Sequence, residues 1–347
     1  MSVTESLAYA LGKPEATGVI RATPEDFQVD EVLGFELTGA GEHVCLYIRK
    51  RNSNTAFVAK QIARLAGVKN MDVSYAGLKD HNAVTTQWFS VYLSNKAEPD
   101  WQQLNNDEVE VLEIKRHNRK LRRGSLKGNH FKIILREFSG DHALLEQRLQ
   151  TIRTKGVPNY FGEQRFGRNN LEQATAMFKG EIKVKNRDKR SLYLSAARSA
   201  IFNAVLSKRV EDDSWDQPWA GDVMMLNGSH SVFQVNEIDD VIRQRITEFD
   251  IHPTGPLWGR GRLASSADVF ILEQKLTEKF SNWCQGLEQA GLKQERRALR
   301  LPVTDFSWIF EEDSLELSFF LPAGCYATAV LRECLVTSVY AAISTID

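Results

Sequence analysis

The sequence predicts an α+β fold whose strands are mostly antiparallel and flanked by helices. Three observations carry the prediction. Short β-rich runs occupy the stretch from about Val44 to Leu135 and return from Ser307 to Leu321. Runs with helical spacing dominate the stretch between them. Many strand-to-strand connections are too short for the crossovers that parallel neighbours need. At roughly 150 residues per domain, 347 residues suggest about two domains.

The elements follow in order. Gly39-Ala40-Gly41-Glu42 reads as a hairpin turn before the strand Val44–Ile48. It lacks the third glycine and the parallel unit of a nucleotide loop. Val58, Ile62 and Leu65 make a stripe on a helix from Thr55 to Ala66, with Asn54 to cap it and Gly67 to end it. Asp72–Ala76 is a short strand, Gly77–Asn82 a polar turn, and Trp88–Leu93 a strand with Phe89, Val91 and Leu93 on one face. Val109, Val111 and Ile114 mark another strand, and Phe131, Ile133 and Leu135 one more. Leu144, Leu145, Leu149 and Ile152 form a helical stripe between a cap at Asp141 and a stop at Gly156. Helices are expected over 171–179, 191–208 and 267–289, strands over 307–310 and 315–321, and a last helix over 327–342.

Composition excludes several classes. Lys plus Arg number 44 and Asp plus Glu 45, so the chain is not a uniformly basic packer of nucleic acid. Apolar runs stay as short as Val223-Met224-Met225-Leu226, far below the ~20 residues of a membrane span. Met1–Glu15 shows no signal pattern. Cys45, Cys284, Cys325 and Cys334 stand alone, as reduced thiols of a cytoplasmic protein would. The seven histidines lack ligand spacing, so no metal site is expected.

Four segments carry candidate chemistry. Lys115 to Lys132 holds Lys115, Arg116, Arg119, Lys120, Arg122, Arg123, Lys127 and Lys132 and no acid. Such density suits a phosphate backbone; the alternative is a solvated loop. Gly124 and Gly128 beside these charges would let a ligand approach the backbone. Lys183–Arg190 is a second, weaker basic stretch, and Gly259-Arg260-Gly261-Arg262 an ordinary loop. In the turn Gly77–Asn82, Asp80 lies between Lys79 and His81. It is either a carboxylate placed for chemistry or a turn aspartate bonding its own backbone, and turn mechanics favour the second. In Gly128-Asn129-His130-Phe131, Asn129 can read a base edge and Phe131 can stack on a base, or both can simply open a strand. Phe27 and Tyr326 each follow turn residues and read as packing residues.

Taken together, six stretches resemble the tRNA pseudouridine synthase D (TruD) family. They are Pro24–Phe27, Ala76–Thr85, Leu126–Phe131, Val157–Gly167, Leu194–Asn203 and Leu321–Thr328, in family order across nearly the whole chain. The resemblance implies a pseudouridine synthase catalytic domain at 1–154 and 304–347, interrupted by a family-specific α+β insertion domain at 155–303. It implies isomerisation of uridine to pseudouridine at position 13 of tRNA, with the base flipped out and no cofactor. Asp80 would be the catalytic carboxylate, and Arg21 would pair with it and keep it charged. Phe27, Asn129 and Tyr326 would contact the uridine and Phe131 would stack on it. Arg21 stands where relatives carry Lys, and Tyr326 where some carry Phe. Arg119, Lys120, Arg122, Arg123 and Lys127 would meet the RNA backbone, with Lys183–Arg190 a further contact. The expected partner is tRNA alone, with no membrane, no obligate protein partner and a monomeric, cytoplasmic enzyme. A non-catalytic RNA-binding role is the competing reading; a methyltransferase is disfavoured by the lack of a loop for S-adenosylmethionine.

Overall fold

A computed structural model describes residues 7–93 and 96–339. They gather into two compact units. One comprises Glu15–Leu145, Val303–Gly324 and the described residues from Leu335. The other comprises the described residues up to Pro14, then Glu146–Pro302 and Cys325–Cys334.

The first unit is built on a ten-stranded mixed sheet. Its strands begin with β1 (Thr17–Ile20), β2 (Phe27–Leu33), β3 (His43–Arg51), β4 (Val73–Tyr75), β5 (Val84–Tyr92), β6 (Val109–His117) and β7 (Leu126–Ser139). Thr304–Phe310, Ser314–Pro322 and Val336–Val339 complete it. The main path runs Thr304–Phe310, Ser314–Pro322, β7, β2, β5, β3, β6. Only β2 with β5 and β1 with Val336–Val339 are parallel; the rest are antiparallel, as the short connections predict. Helix α1 (Thr55–Leu65) lays Val58, Ala59, Ile62 and Ala63 on Val44, Leu46, Ile48, Phe89 and Val91. Each such fully buried Val, Leu, Ile or Phe stabilises by roughly 1.5–3 kcal/mol. Asn54 holds the N-cap position without a side-chain capping bond, while Gly67 follows the helix at φ +61 as a helix stop should. Asp141 does cap its helix, accepting from the backbone N–H groups of Ala143 and Leu144.

The second unit carries the long helix Arg187–Glu211, whose Ala196, Ala200, Phe202 and Leu206 enter a core with Phe161, Phe166 and Leu299. It also holds an antiparallel sheet in the order Val232–Gln234, Val223–Leu226, Ile251–Leu257, Glu295–Ala298. Arg209 and Asp222, both buried, form an ion pair of 2.7 Å.

Two expectations change. The run 267–289 is two helices, Ala267–Glu278 and Ser281–Gln289, broken around Phe280. The last helix ends at Cys334. Val336–Val339, rich in β-branched residues, instead adds to β1 in parallel register, Thr17 opposite Val336; residues 340–342 lie outside the described residues. Gly128 has a reason inside the sheet as well. A Cβ there would stand 2.2 Å from the Leu321 carbonyl oxygen and 2.4 Å from the Phe320 ring, so the glycine lets two strands close.

Candidate active site

The turn before β5 is held from several sides. The Gly77 carbonyl accepts from Gln87 Nε2 at 3.1 Å, and the Lys79 N–H donates to Thr55 Oγ1 at 3.1 Å. Thr55 Oγ1 in turn donates to Gln87 Oε1 at 2.9 Å. The Asp80 carbonyl accepts from Lys50 Nζ at 2.9 Å, and Lys50 also donates to the Ser53 carbonyl at 2.6 Å. Asp80 thus has its backbone fixed by other groups, and its side chain is 36% exposed. Lys50 is completely buried on β3. That burial pushes its ammonium down to about 8, with Asp80 opposing the shift and Lys79 adding to it.

Arg21 comes to Asp80 from the end of β1. Its backbone sits at φ 59, the left-handed region that costs a non-glycine residue roughly 1–3 kcal/mol. From there Nη2 reaches Asp80 Oδ2 at 2.6 Å, and the guanidinium lies 4.2 Å from the centroid of the Phe27 ring. Among the described residues Oδ1 of Asp80 has no hydrogen-bond partner. The link from Arg21 to Phe27 is itself braced. Buried Asp26 takes Arg136 Nε and Nη2 on Oδ1 and the Thr23 N–H on Oδ2, at 2.8–2.9 Å.

Asn129 stands opposite Glu31, and Phe131 opposite Val29, on the β2–β7 ladder. With period two, Phe27, Val29 and Glu31 share one face with Asn129, Phe131 and Ile133. Lys79 Nζ donates to Asn129 Oδ1 at 2.7 Å and lies 2.8 Å from Glu31 Oε2. Phe131 is nearly buried, edge-on to Phe27 at 6.3 Å and stacked on Phe319 at 5.4 Å. One face of the sheet therefore brings together Asp80, Arg21, Phe27, Asn129 and Phe131. Tyr326 belongs to the other unit. There it meets Phe161 edge-on at 6.0 Å, with the Arg165 guanidinium 5.7 Å from its ring. A Cβ on Gly162 would stand 2.4 Å from Thr328 Oγ1, so a side chain there would push that hydroxyl aside.

The basic run is not one loop. Lys115 and Arg116 end β6, Lys127 and Lys132 lie on β7, and only residues 118–125 connect them. Arg116 pairs with Glu98, Lys115 with Glu113 and Lys132 with Glu316. Arg119, Lys120, Arg122, Arg123 and Lys127 are exposed. Lys120, Arg122 and Arg123 border a groove of about 470 Å³ beside Tyr75 and Lys60, which Asp80 does not line. Lys183, Lys185, Arg187, Lys189 and Arg190 are also solvent-facing, around the start of Arg187–Glu211. His81 is exposed with Nδ1 at 2.7 Å from Asn82 Oδ1. Among the described residues no His, Cys, Asp and Glu cluster could hold a metal ion, and no helix is long and apolar enough to cross a membrane.

Lys50, Glu31, Gln87 and Thr55 escape sequence reading, and Lys79 is met there only as a neighbour of Asp80. One signal was available. Glu31 and Lys50 interrupt strands whose other inward residues are apolar, and a charge at such a position needs a partner.

The sequence model described as tRNA pseudouridine synthase D (TruD) matches residues 4–185 and 169–334. A tRNA pseudouridine synthase D from Nitrosococcus oceani is 52% identical over 332 residues, covering 94% of this chain and 93% of its own. One from Methylococcus capsulatus is also 52% identical over 332 residues, covering 95% and 94%. The crystal structure of a protein assigned as a tRNA pseudouridine synthase D from Methanosarcina mazei superposes with a TM-score of 0.73 at 20% identity, covering 94% of this chain and 95% of that one, a likeness of fold. The chain belongs to the tRNA pseudouridine synthase D family.

Proposed function

We propose that this member of the family isomerises uridine to pseudouridine at position 13 of tRNA, with Asp80 as the catalytic carboxylate. The observation that carries the reading is the Asp80 side chain itself. One oxygen is taken by Arg21 at 2.6 Å, the other has no partner among the described residues, and the turn beneath is fixed by Lys50, Thr55 and Gln87. Such an oxygen can attack C1′ of the ribose or accept its C2′ proton. The N1–C1′ bond breaks, the base rotates, a C5–C1′ bond forms, and the C5 hydrogen leaves as a proton while N1 gains one. Atoms and electrons balance without a redox partner or cofactor.

The target base must leave its stack to reach Asp80. Phe27 and Asn129 would border it, Phe131 would support it from the sheet, and Tyr326 would reach it from its own segment. Arg119, Lys120, Arg122, Arg123 and Lys127 are exposed cations of the kind that meet an RNA backbone. Residues 1–154 and 304–347 would form the catalytic domain and 155–303 the insertion. The enzyme would act as a cytoplasmic monomer.

The test is release of tritium from C5-labelled uridine in unmodified tRNA transcripts. The wild-type protein should release it and Asp80→Asn should not, while both bind RNA. Near wild-type release by Asp80→Asn would refute the assignment of Asp80.

A further inference from the structure

We propose that Lys79 is a positioning residue that turns Asn129 into a donor-only reader of uracil O4, and so selects uracil against cytosine. The proposal rests on the function proposed above and adds the source of its base specificity.

Lysine has three donors and no acceptor. The atom of the Asn129 amide that faces Lys79 Nζ at 2.7 Å is therefore its oxygen. The oxygen and nitrogen ends of an asparagine amide are told apart by the hydrogen bonds they make. Here a flip would press the NH2 group against an ammonium. The ammonium is also held by charge and burial. It lies 2.8 Å from Glu31 Oε2, and the side chains of Lys79 and Glu31 are only 6% and 0% exposed. The other Glu31 oxygen is committed to the Trp88 N–H at 3.1 Å. Nδ2 of Asn129 then faces away from Lys79, with no partner among the described residues.

A buried ion pair is a poor way to gain stability, since an apolar pair of equal volume often does as well. What an apolar pair cannot do is dictate which end of an amide faces outward. Uracil presents an acceptor at O4, where cytosine presents an amino donor. A donor locked toward that position bonds the first and meets the second donor to donor, a difference of roughly 10- to 100-fold in affinity.

The experiment uses Asp80→Asn, which should bind without turnover. Two transcripts of one tRNA, with uridine or cytidine at the mapped target, are titrated against it. Asp80→Asn should prefer uridine by roughly 10- to 100-fold. Adding Lys79→Met should collapse the ratio toward one, and Lys79→Arg should retain most of it. Asn129→Asp, which gives Lys79 an oxygen and the base an acceptor, should invert it. Because Lys79→Met strands the buried Glu31, the double change Glu31→Gln with Lys79→Met repeats the test without a lone charge. A purely structural role would weaken both RNAs alike. Equal affinity in Asp80→Asn, or a ratio unmoved by Lys79→Met and Asn129→Asp, overturns the proposal. Failure of the wild-type protein to release tritium from any tRNA removes the function reading instead.

Discussion

Lys50 gives the sharpest quantitative test. It is a completely buried cation whose two bonds go to carbonyls, those of Ser53 and Asp80. Holding its ammonium at about 8 instead of 10.5 costs about 3 kcal/mol at neutral pH, at about 1.4 kcal/mol per tenfold. Lys50→Met deletes that cost but leaves two buried carbonyls without a donor, about 1–3 kcal/mol each. The terms partly offset, so at about pH 7 the variant should lie within about 3 kcal/mol of wild type. The balance shifts in alkali. The unfolded chain keeps this proton up to about 10.5 and the folded one only to about 8. Between those limits the unfolded state binds more protons, and stability rises with pH. Urea denaturation of both proteins at about pH 7 and about pH 9.5 should show the difference moving by about 2 kcal/mol toward wild type. Tritium release by the variant should fall about 10–100-fold at both, because Asp80 loses its backbone anchor. A stability difference that does not change with pH would refute the buried-cation reasoning. Unchanged turnover would refute the positioning role.

Gly128→Ala should cost about 1–3 kcal/mol by forcing Leu321 and Phe320 aside, and should lower turnover by displacing Asn129; a thermal melt and the tritium assay read both. Asp222→Ala strands Arg209, 1% exposed, and should cost about 3–5 kcal/mol in urea denaturation, with a loss below about 1 kcal/mol refuting the pair's role. Replacing Arg119, Lys120, Arg122 and Arg123 by Gln should flatten the salt dependence of RNA binding by about 0.7–0.9 in log–log slope for each phosphate no longer neutralised, and an unchanged slope would exclude them from the interface.

The sequence was most legible where period and packing agree. α1 shows its stripe because Val58 and Ile62 face a wholly apolar wall, and β3 and β5 read as strands for the same reason. β2 was missed, although it lies at the centre of the sheet. Its inward positions include Glu31, fully buried because Lys79 neutralises it, and that charge breaks the apolar alternation. The strand Val223–Leu226 stayed a mere apolar run, since four residues do not distinguish a buried strand from a helix turn. At the site, local mechanics favoured a self-bonded turn at Asp80. The structure instead spends Thr55, Gln87 and Lys50 on that turn, partners between 10 and 30 positions away that no local pattern reveals. The family resemblance supplied Asp80, Arg21 and Asn129, but not the buried lysines that hold them.

The register of β7 also sets a timetable. Asn129 has Glu31 on one side and Leu321 on the other. The first neighbour exists before β7 is made, whereas the second is translated only after the whole of Glu146–Pro302. During synthesis, the strand bearing Asn129 therefore waits with one edge bare while the intervening segment can gather its own core. Bare edges invite pairing with other chains, and the long delay makes this one a point of vulnerability for the newborn protein. The face that carries Asp80 is laid down early in the chain, but Asn129 gains its second neighbour only when the ribosome has passed Leu321.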